Sequence, residues 1–311
     1  MSQLYLIFFE MAVVLALGIV LGRKKVIDDR GRKVLNDLLL KAVLPFTIIS
    51  SSQFDYSIDM LRSIGAVAAG ASVYYLGSLL ALRFIVFRTK IQDSEKRVFI
   101  TTSVFANTGF VGMPLMYSLF GDPGLLLAAI YNLIYNVFFY TYGVHLLSGK
   151  KPSFQEYVNP VSISSILAIT LFVIPWRAPG AIVDALDLVG DMTFPLSMII
   201  MGSTLATIDV KKLFSDGKSY AVCFLRMVLF PVLMTLTLVA LKRFIPILSA
   251  TVTTLVIMTA LPSGAMSVIY SERYDCAPKF AARTVTLSMV FMVITLPLVI
   301  AVCLGLFYAG G

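Results

Sequence analysis

The sequence predicts an all-α integral membrane protein. Ten transmembrane helices form two inverted five-helix repeats, and the fourth and ninth helices are broken. Three observations carry this. The chain is 59% hydrophobic and 14% charged, with a mean hydropathy of +0.90, whereas soluble domains are about 45–50% apolar and about 25% charged. Its apolar segments fall five and five about a polar stretch, residues 148–157. Two of them, at corresponding places in the halves, are interrupted by glycine, proline and hydrogen-bonding side chains.

A spanning helix needs about 17–25 apolar residues. Segments of that order lie at 4–22, 34–53, 60–82, 98–120, 124–147, 158–175, 181–207, 219–241, 250–270 and 280–308. The first has no basic lead and no small-residue cleavage site, so it reads as a span rather than a cleavable signal.

The basic residues set the orientation. Arg23, Lys24, Lys25, Arg30, Arg32 and Lys33 follow the first segment, and Arg83, Arg88, Lys90, Lys96 and Arg97 follow the third. Lys150, Lys151, Lys211, Lys212, Lys218, Arg273 and Lys279 fall on the same side. The other side has Arg177, Lys242 and Arg243, with Arg62 just inside the third segment. The crowded side is expected to be cytoplasmic and both termini extracytoplasmic. The net charge of +8 is thereby assigned to orienting loops rather than to nucleic acid.

Residues 1–147 make the first repeat, 148–157 a cytoplasmic linker and 158–311 the second repeat. An odd number of helices per half forces the halves into opposite orientations. An offset of 150 aligns Asp37 with Asp187, Leu38 with Leu188, Pro45 with Pro195 and Thr47 with Ser197. An offset of 155 aligns Thr108 with Ser263, Gly109 with Gly264 and Pro123 with Pro278, and sets Asn107 opposite Pro262.

The fourth segment contains Ala106-Asn-Thr-Gly-Phe-Val-Gly-Met-Pro-Leu115. Pro114 removes a backbone donor and is expected to break or kink the helix. Gly109 and Gly112 loosen it further, and Asn107 and Thr108 bring polar atoms to the gap. The ninth segment repeats the pattern in Pro262, Ser263 and Gly264. Unpaired backbone cannot face lipid, so such breaks survive inside protein or against a watery cavity. Paired broken helices point to a transporter's binding site near the midplane. Their half-helix N-termini present free N–H groups and positive dipole ends, which favour an anion such as a carboxylate.

Tyr131, Asn132, Tyr135 and Asn136 sit at three- and four-residue spacings in the fifth segment. They line the substrate cavity or hydrogen-bond between helices. Intramembrane ionisable residues are costly and suggest function; here they are Glu10, Lys41, Asp191 and Arg226. Lys41 and Asp191 hold equivalent repeat positions and are expected to pair across the pseudo-twofold. In the alternative, Asp191 or Glu10 accepts a coupling proton and Lys41 snorkels to the cytoplasmic face. His145, at the end of the fifth segment, reads as an interfacial anchor.

Three blocks resemble the auxin efflux carrier family, which includes plant auxin exporters and bacterial malate and malonate carriers. They are Asn107 to Leu115; Val158-Asn159-Pro160 with Ser164-Ser165-Ile166; and Ala260-Leu-Pro262 with Gly264, Glu272, Tyr274 and Pro278. The resemblance implies a fold like that of bile-acid sodium symporters and sodium/proton antiporters. Helices one, two, six and seven would form a scaffold, with three to five and eight to ten as the transport domain. Asn107 would hydrogen-bond a substrate carboxylate, with Pro114 and Pro262 marking the crossover. Ser263 stands where plant members carry an amide, which puts auxin itself in doubt as the substrate. A homodimer through the scaffold is also implied. So is a bacterial inner membrane location, because the long loop of plant members is missing.

The expected function is secondary transport of a small organic anion, coupled to H+ or Na+ or to neither, without an organic cofactor or resident metal. A cation/proton antiporter is the runner-up, although 104–118 and 256–270 contain no Asp or Glu. Nothing forms a Ser/His/Asp set, a metal-ligand spacing or a nucleotide loop, and Cys223, Cys276 and Cys303 suggest no disulfide framework. An intramembrane aspartyl protease would need a second Asp facing Asp191. A receptor would normally carry a soluble output domain, and no stretch reads as one.

Overall fold

In a computed structural model, residues 2–149, 158–174, 177–206 and 213–309 are described. Linker residues 150–157, with Lys150 and Lys151, lie outside them, as do Lys211 and Lys212. The described chain is helical. The helices are α1 (Ser2–Arg23), α2 (Asp29–Leu38), α3 (Leu44–Ser50), α4 (Ile58–Val86), α5 (Asp93–Val104), α6 (Met113–Phe138), α7 (Val144–Ser148) and α8 (Pro160–Val173). They continue with α9 (Gly180–Gly190), α10 (Thr193–Leu205), α11 (Gly217–Phe224), α12 (Phe230–Lys242), α13 (Ser249–Ala260), α14 (Ala265–Arg273) and α15 (Pro278–Ala309). Four π-helical turns, Leu39–Val43, Thr108–Gly112, Phe139–Gly143 and Leu225–Leu229, join neighbouring helices.

Among the described residues five continuous stretches are long and apolar enough to cross a membrane: Ile58–Val86, Thr108–Ser148, Gly180–Leu205, Gly217–Lys242 and Pro278–Phe307. Pro160–Val173 and Ser249–Ala260 are apolar but shorter. The 41 residues of Thr108–Ser148 would extend about 62 Å as a straight helix, twice the roughly 30 Å of a bilayer core. Gly121, at φ 60° and ψ −149°, interrupts that path. Only glycine adopts this conformation freely.

The chain forms two compact units. The first comprises residues 1–65, 109–133 and 158–208. Its main packing is α1 on α10, where glycines remove the side chains that would hold the backbones apart. A Cβ on Gly202 would lie 2.1 Å from the Leu15 carbonyl oxygen, and one on Gly18 would lie 2.5 Å from that of Ile199. Thr47 and Thr193 share a 2.7 Å hydroxyl hydrogen bond beside Gly190. The Asn-Pro pair starts α8: Asn159 Oδ1 accepts from the Ser162 amide at 2.9 Å, and Pro160 takes the first helical position. An N-cap acceptor followed by a residue with no amide to satisfy is the expected chemistry of a helix start.

The second unit comprises residues 66–108, 134–157 and 209–311. It is built from α4, α5, the end of the fifth predicted segment and α11 to α15, and it contains both extended interruptions.

Candidate functional site

Pro262 explains one interruption. The residue before a proline is driven to extended backbone, and Leu261 adopts φ −63° and ψ 155°, so α13 stops at Ala260. The chain stays extended through Gly264, and α14 starts at Ala265. The other interruption has no proline at the break. Helix α5 ends at Val104, and Phe105 is extended at φ −92° and ψ 111°. Helical turns resume at Thr108 with the π turn. Pro114 comes later, just past the π turn and inside the helical stretch that starts at Thr108, which it does not interrupt. The break expected at Pro114 therefore falls upstream, at residues 105–107.

The two extended segments pair. Ala106 and Ser263 form an antiparallel bridge, flanked by hydrogen bonds from the Asn107 amide to the Pro262 carbonyl at 2.9 Å and from the Gly264 amide to the Phe105 carbonyl at 2.8 Å. Each segment thus satisfies backbone groups that its broken helix leaves open. Ser263 locks the crossing to its neighbours: its hydroxyl donates to the Thr102 carbonyl at 2.8 Å, and its amide donates to Ser288 Oγ at 3.0 Å. The backbones meet so closely that a Cβ on Gly264 would lie 2.7 Å from the Ala106 carbonyl oxygen.

Arg226, in the π turn between α11 and α12, is fully buried beside this crossing. Its Nε donates to the Leu261 carbonyl at 3.1 Å, Nη2 to that of Met258 at 3.2 Å and Nη1 to that of Val104 at 3.1 Å. Nη1 also donates to the Tyr74 hydroxyl. Tyr74 in turn donates to the Val104 carbonyl at 3.1 Å. None of these partners is a carboxylate. They are the carbonyl ends of the two interrupted helices, α5 and α13. Each helix C-terminus carries roughly half a negative charge, so two of them together offset about one guanidinium charge.

Aromatic rings enclose the crossing on another side. Phe105 stacks on Tyr75 at 5.6 Å and meets Tyr135 and Phe139 edge-on at 5.6 and 5.0 Å. Phe139 continues the contact to Tyr270, which Arg273 overlies at 5.7 Å.

The model of the membrane transport protein family, that of the auxin efflux carriers, matches residues 6–156 and again 150–300. The chain belongs to this family. The chain is also similar to the uncharacterized transporter MJ1031 of Methanocaldococcus jannaschii, 23% identical over 291 residues, 88% of this chain and 90% of that protein.

In this family member the predicted residues divide between the units. Asn107, Thr108, Pro262, Ser263 and Gly264 come together at the crossing, all buried. Tyr135 and Asn136 are buried in the same unit. Gly109, Gly112, Pro114 and Asn132 belong to the other unit. Glu10, Lys41 and Asp191 also lie there, on exposed positions. The expected Lys41–Asp191 pair does not form. Lys41 pairs with Asp37 one turn away at 3.1 Å, with side chains 65% and 51% exposed, and Asp191 accepts from the Tyr117 hydroxyl at 3.4 Å. A repeat offset equates positions; it does not bring them into contact. Sequence reasoning flagged Arg226 as an intramembrane charge without giving it a place in the site, and it passed over Tyr74. The signal was an arginine in an apolar helix with no acidic residue within a turn or two.

Proposed function

We propose that this auxin efflux family member is a secondary transporter of a small organic anion, a carboxylate of the malate, malonate or auxin-like class. The observation that carries the proposal is the crossing itself, with Arg226 bound to the carbonyl ends of α5 and α13. The cation-seeking ends of the broken helices are already neutralised from within the chain. What remains for a ligand is the opposite polarity. Helix α14 starts at Ala265 beside the crossing with no side-chain cap, and the first amides of a helix have no intrahelical acceptor. Asn107 and Thr108 would supply the directional hydrogen bonds. Gly109, Gly112 and Pro114 after them, and Asn132, Tyr135 and Asn136 from the fifth predicted segment, would complete the binding residues.

Transport would proceed by alternating access around this site, one group of helices moving against a scaffold of the first, second, sixth and seventh. The family model's two successive matches support a ten-span inverted repeat. The distribution of Lys and Arg supports extracytoplasmic termini in a bacterial inner membrane. A homodimer through the scaffold, and proton coupling through Glu10, Lys41 or Asp191, belong to the same reading. Arg226 weighs against the cation/proton antiporter, because a fixed charge stands where a transported cation would be drawn.

The test is uptake of labelled carboxylates by proteoliposomes containing the purified protein. Saturable uptake of one of them, lost in Asn107→Ala with the protein still folded, supports the proposal. Unchanged uptake in Asn107→Ala for every carboxylate carried would refute the site.

A further inference from the structure

Within the second unit, α4 and α12 leave a groove of about 490 Å³ between them. Small residues on α4 create it: Ala66, Ala69, Gly70, Gly77 and Ala81 lie along the wall. From Ala66 to Ala81 the helix rises about 22 Å, a large share of the roughly 30 Å hydrocarbon core. A groove of this volume is in the range of small-molecule sites. Both walls belong to stretches long and apolar enough to span a bilayer. Val73 and Leu233 on its rim are 69% and 48% exposed.

Of the polar residues in the lining, Ser78 and Thr237 donate to carbonyls four residues back on their own helices at 2.6 and 2.8 Å, and Tyr74 donates to the Val104 carbonyl; Thr251 differs. Thr251 is 2% exposed, lines the groove, and its hydroxyl has no hydrogen-bond partner among the described residues. The cause is local. Thr254 and Thr259 on the same helix donate to the carbonyls four residues back, at 2.8 and 2.7 Å. Thr251 is the third residue of α13 and has no helical carbonyl four residues behind it. A buried hydroxyl left unmatched costs about 1–3 kcal/mol, and such groups normally meet a partner. At the same end of α13, Leu241, Ile245 and Ile247 line the groove and bracket Lys242 and Arg243, both exposed.

We infer that this groove binds one acyl chain of an anionic phospholipid. The chain lies along the small-residue wall, its ester carbonyl accepts from the Thr251 hydroxyl, and its phosphate meets Lys242 and Arg243. The three features match the three parts of such a lipid; Tyr74, which bonds Arg226 at the crossing, also lines the groove.

The test is native mass spectrometry of the detergent-purified protein titrated with phosphatidylglycerol or phosphatidylcholine. The prediction is one tightly retained phosphatidylglycerol per chain, preferred over phosphatidylcholine. Gly77→Leu projects into open space, with nothing within 4 Å of its Cβ, and should reduce retention at least tenfold by filling the groove. Thr251→Val, which keeps the shape, should weaken retention roughly threefold to tenfold, as expected for one hydrogen bond. Lys242→Gln with Arg243→Gln should erase the headgroup preference. Should Gly77→Leu lower the unfolding midpoint, Thr251→Val decides. Retention no stronger than weak multiple lipid adducts, equal retention of both lipids, or retention unchanged in Thr251→Val would overturn the inference.

Discussion

Arg226 and Leu261 are joined by a 3.1 Å hydrogen bond, from Nε to the carbonyl that ends the first half of the broken ninth helix. The same guanidinium reaches Val104, the last residue of α5. One side chain thus ties the ends of both interrupted helices. Replacing it with methionine leaves the buried Leu261 and Met258 carbonyls without this donor, at about 1–3 kcal/mol for each unsatisfied group, while the Val104 carbonyl keeps its hydrogen bond from Tyr74. Arg226→Met is expected to lower the unfolding midpoint sharply. Arg226→Lys should recover only part of the loss, since an ammonium cannot span the same fork of acceptors. Thermal unfolding in detergent measures both.

The glycines beside the two interruptions differ in what they tolerate. A Cβ on Gly264 meets the Ala106 carbonyl oxygen at 2.7 Å, whereas one on Gly109 meets nothing within 4 Å. Gly264→Ala should therefore push the crossing strands apart and reduce transport by two orders of magnitude or more. Gly109→Ala should keep the parent's unfolding midpoint, whereas Gly264→Ala should lower it. Thermal unfolding of the two variants separates them, and equal midpoints would contradict the crossing geometry.

In the first unit, α1 and α10 depend on close approach. Gly202→Val would force atoms into the Leu15 carbonyl, 2.1 Å from the ideal Cβ position, and overpacking typically costs about 1–3 kcal/mol or more. A large drop in monodisperse protein on size-exclusion chromatography is expected. Gly217→Ala, with open space around it, should behave as the parent.

These contrasts indicate how far the sequence can be read. The ninth-helix break was legible because Pro262 forbids helix at Leu261 by local sterics. The fourth-helix break was legible as a region only. Its polar and glycine residues marked the place, but Pro114 drew attention eight residues past Ala106, and that proline sits inside a helical stretch it does not interrupt. Asn159 and Pro160 announced a helix start through capping chemistry that needs no distant partner. Arg226 was visible as a charge in an apolar helix. Its partners are backbone carbonyls, which every residue carries, so no sequence pattern could name them. Lys41 shows the converse error: its ion-pair partner is Asp37, one turn away, and local spacing prevailed over repeat symmetry.

Cys276 offers a probe outside the membrane-spanning helices. It is buried in the turn between α14 and α15, and its Sγ lies 3.5 Å from the Ser94 carbonyl. Burial raises its thiol pKa, Arg97 lowers it and Asp275 raises it, with a net upward shift. The reactive thiolate is thereby scarcer near neutrality than for a free cysteine. Maleimide labelling of Cys276 should be slow at pH 7 and should accelerate only above the ordinary thiol range. Rapid labelling at pH 7 would mean that the turn opens.

The most direct test of anion binding at the crossing is thermal stability of the purified protein against malate, malonate, succinate and indole-3-acetate, at two pH values with and without sodium. A ligand that binds only the folded state adds about 2.7 kcal/mol at a hundredfold excess over its Kd. A rise in midpoint is expected with at least one carboxylate, and it is absent in Asn107→Ala. No response to any carboxylate, with a clear response to sodium or pH alone, would contradict it and favour a cation carrier.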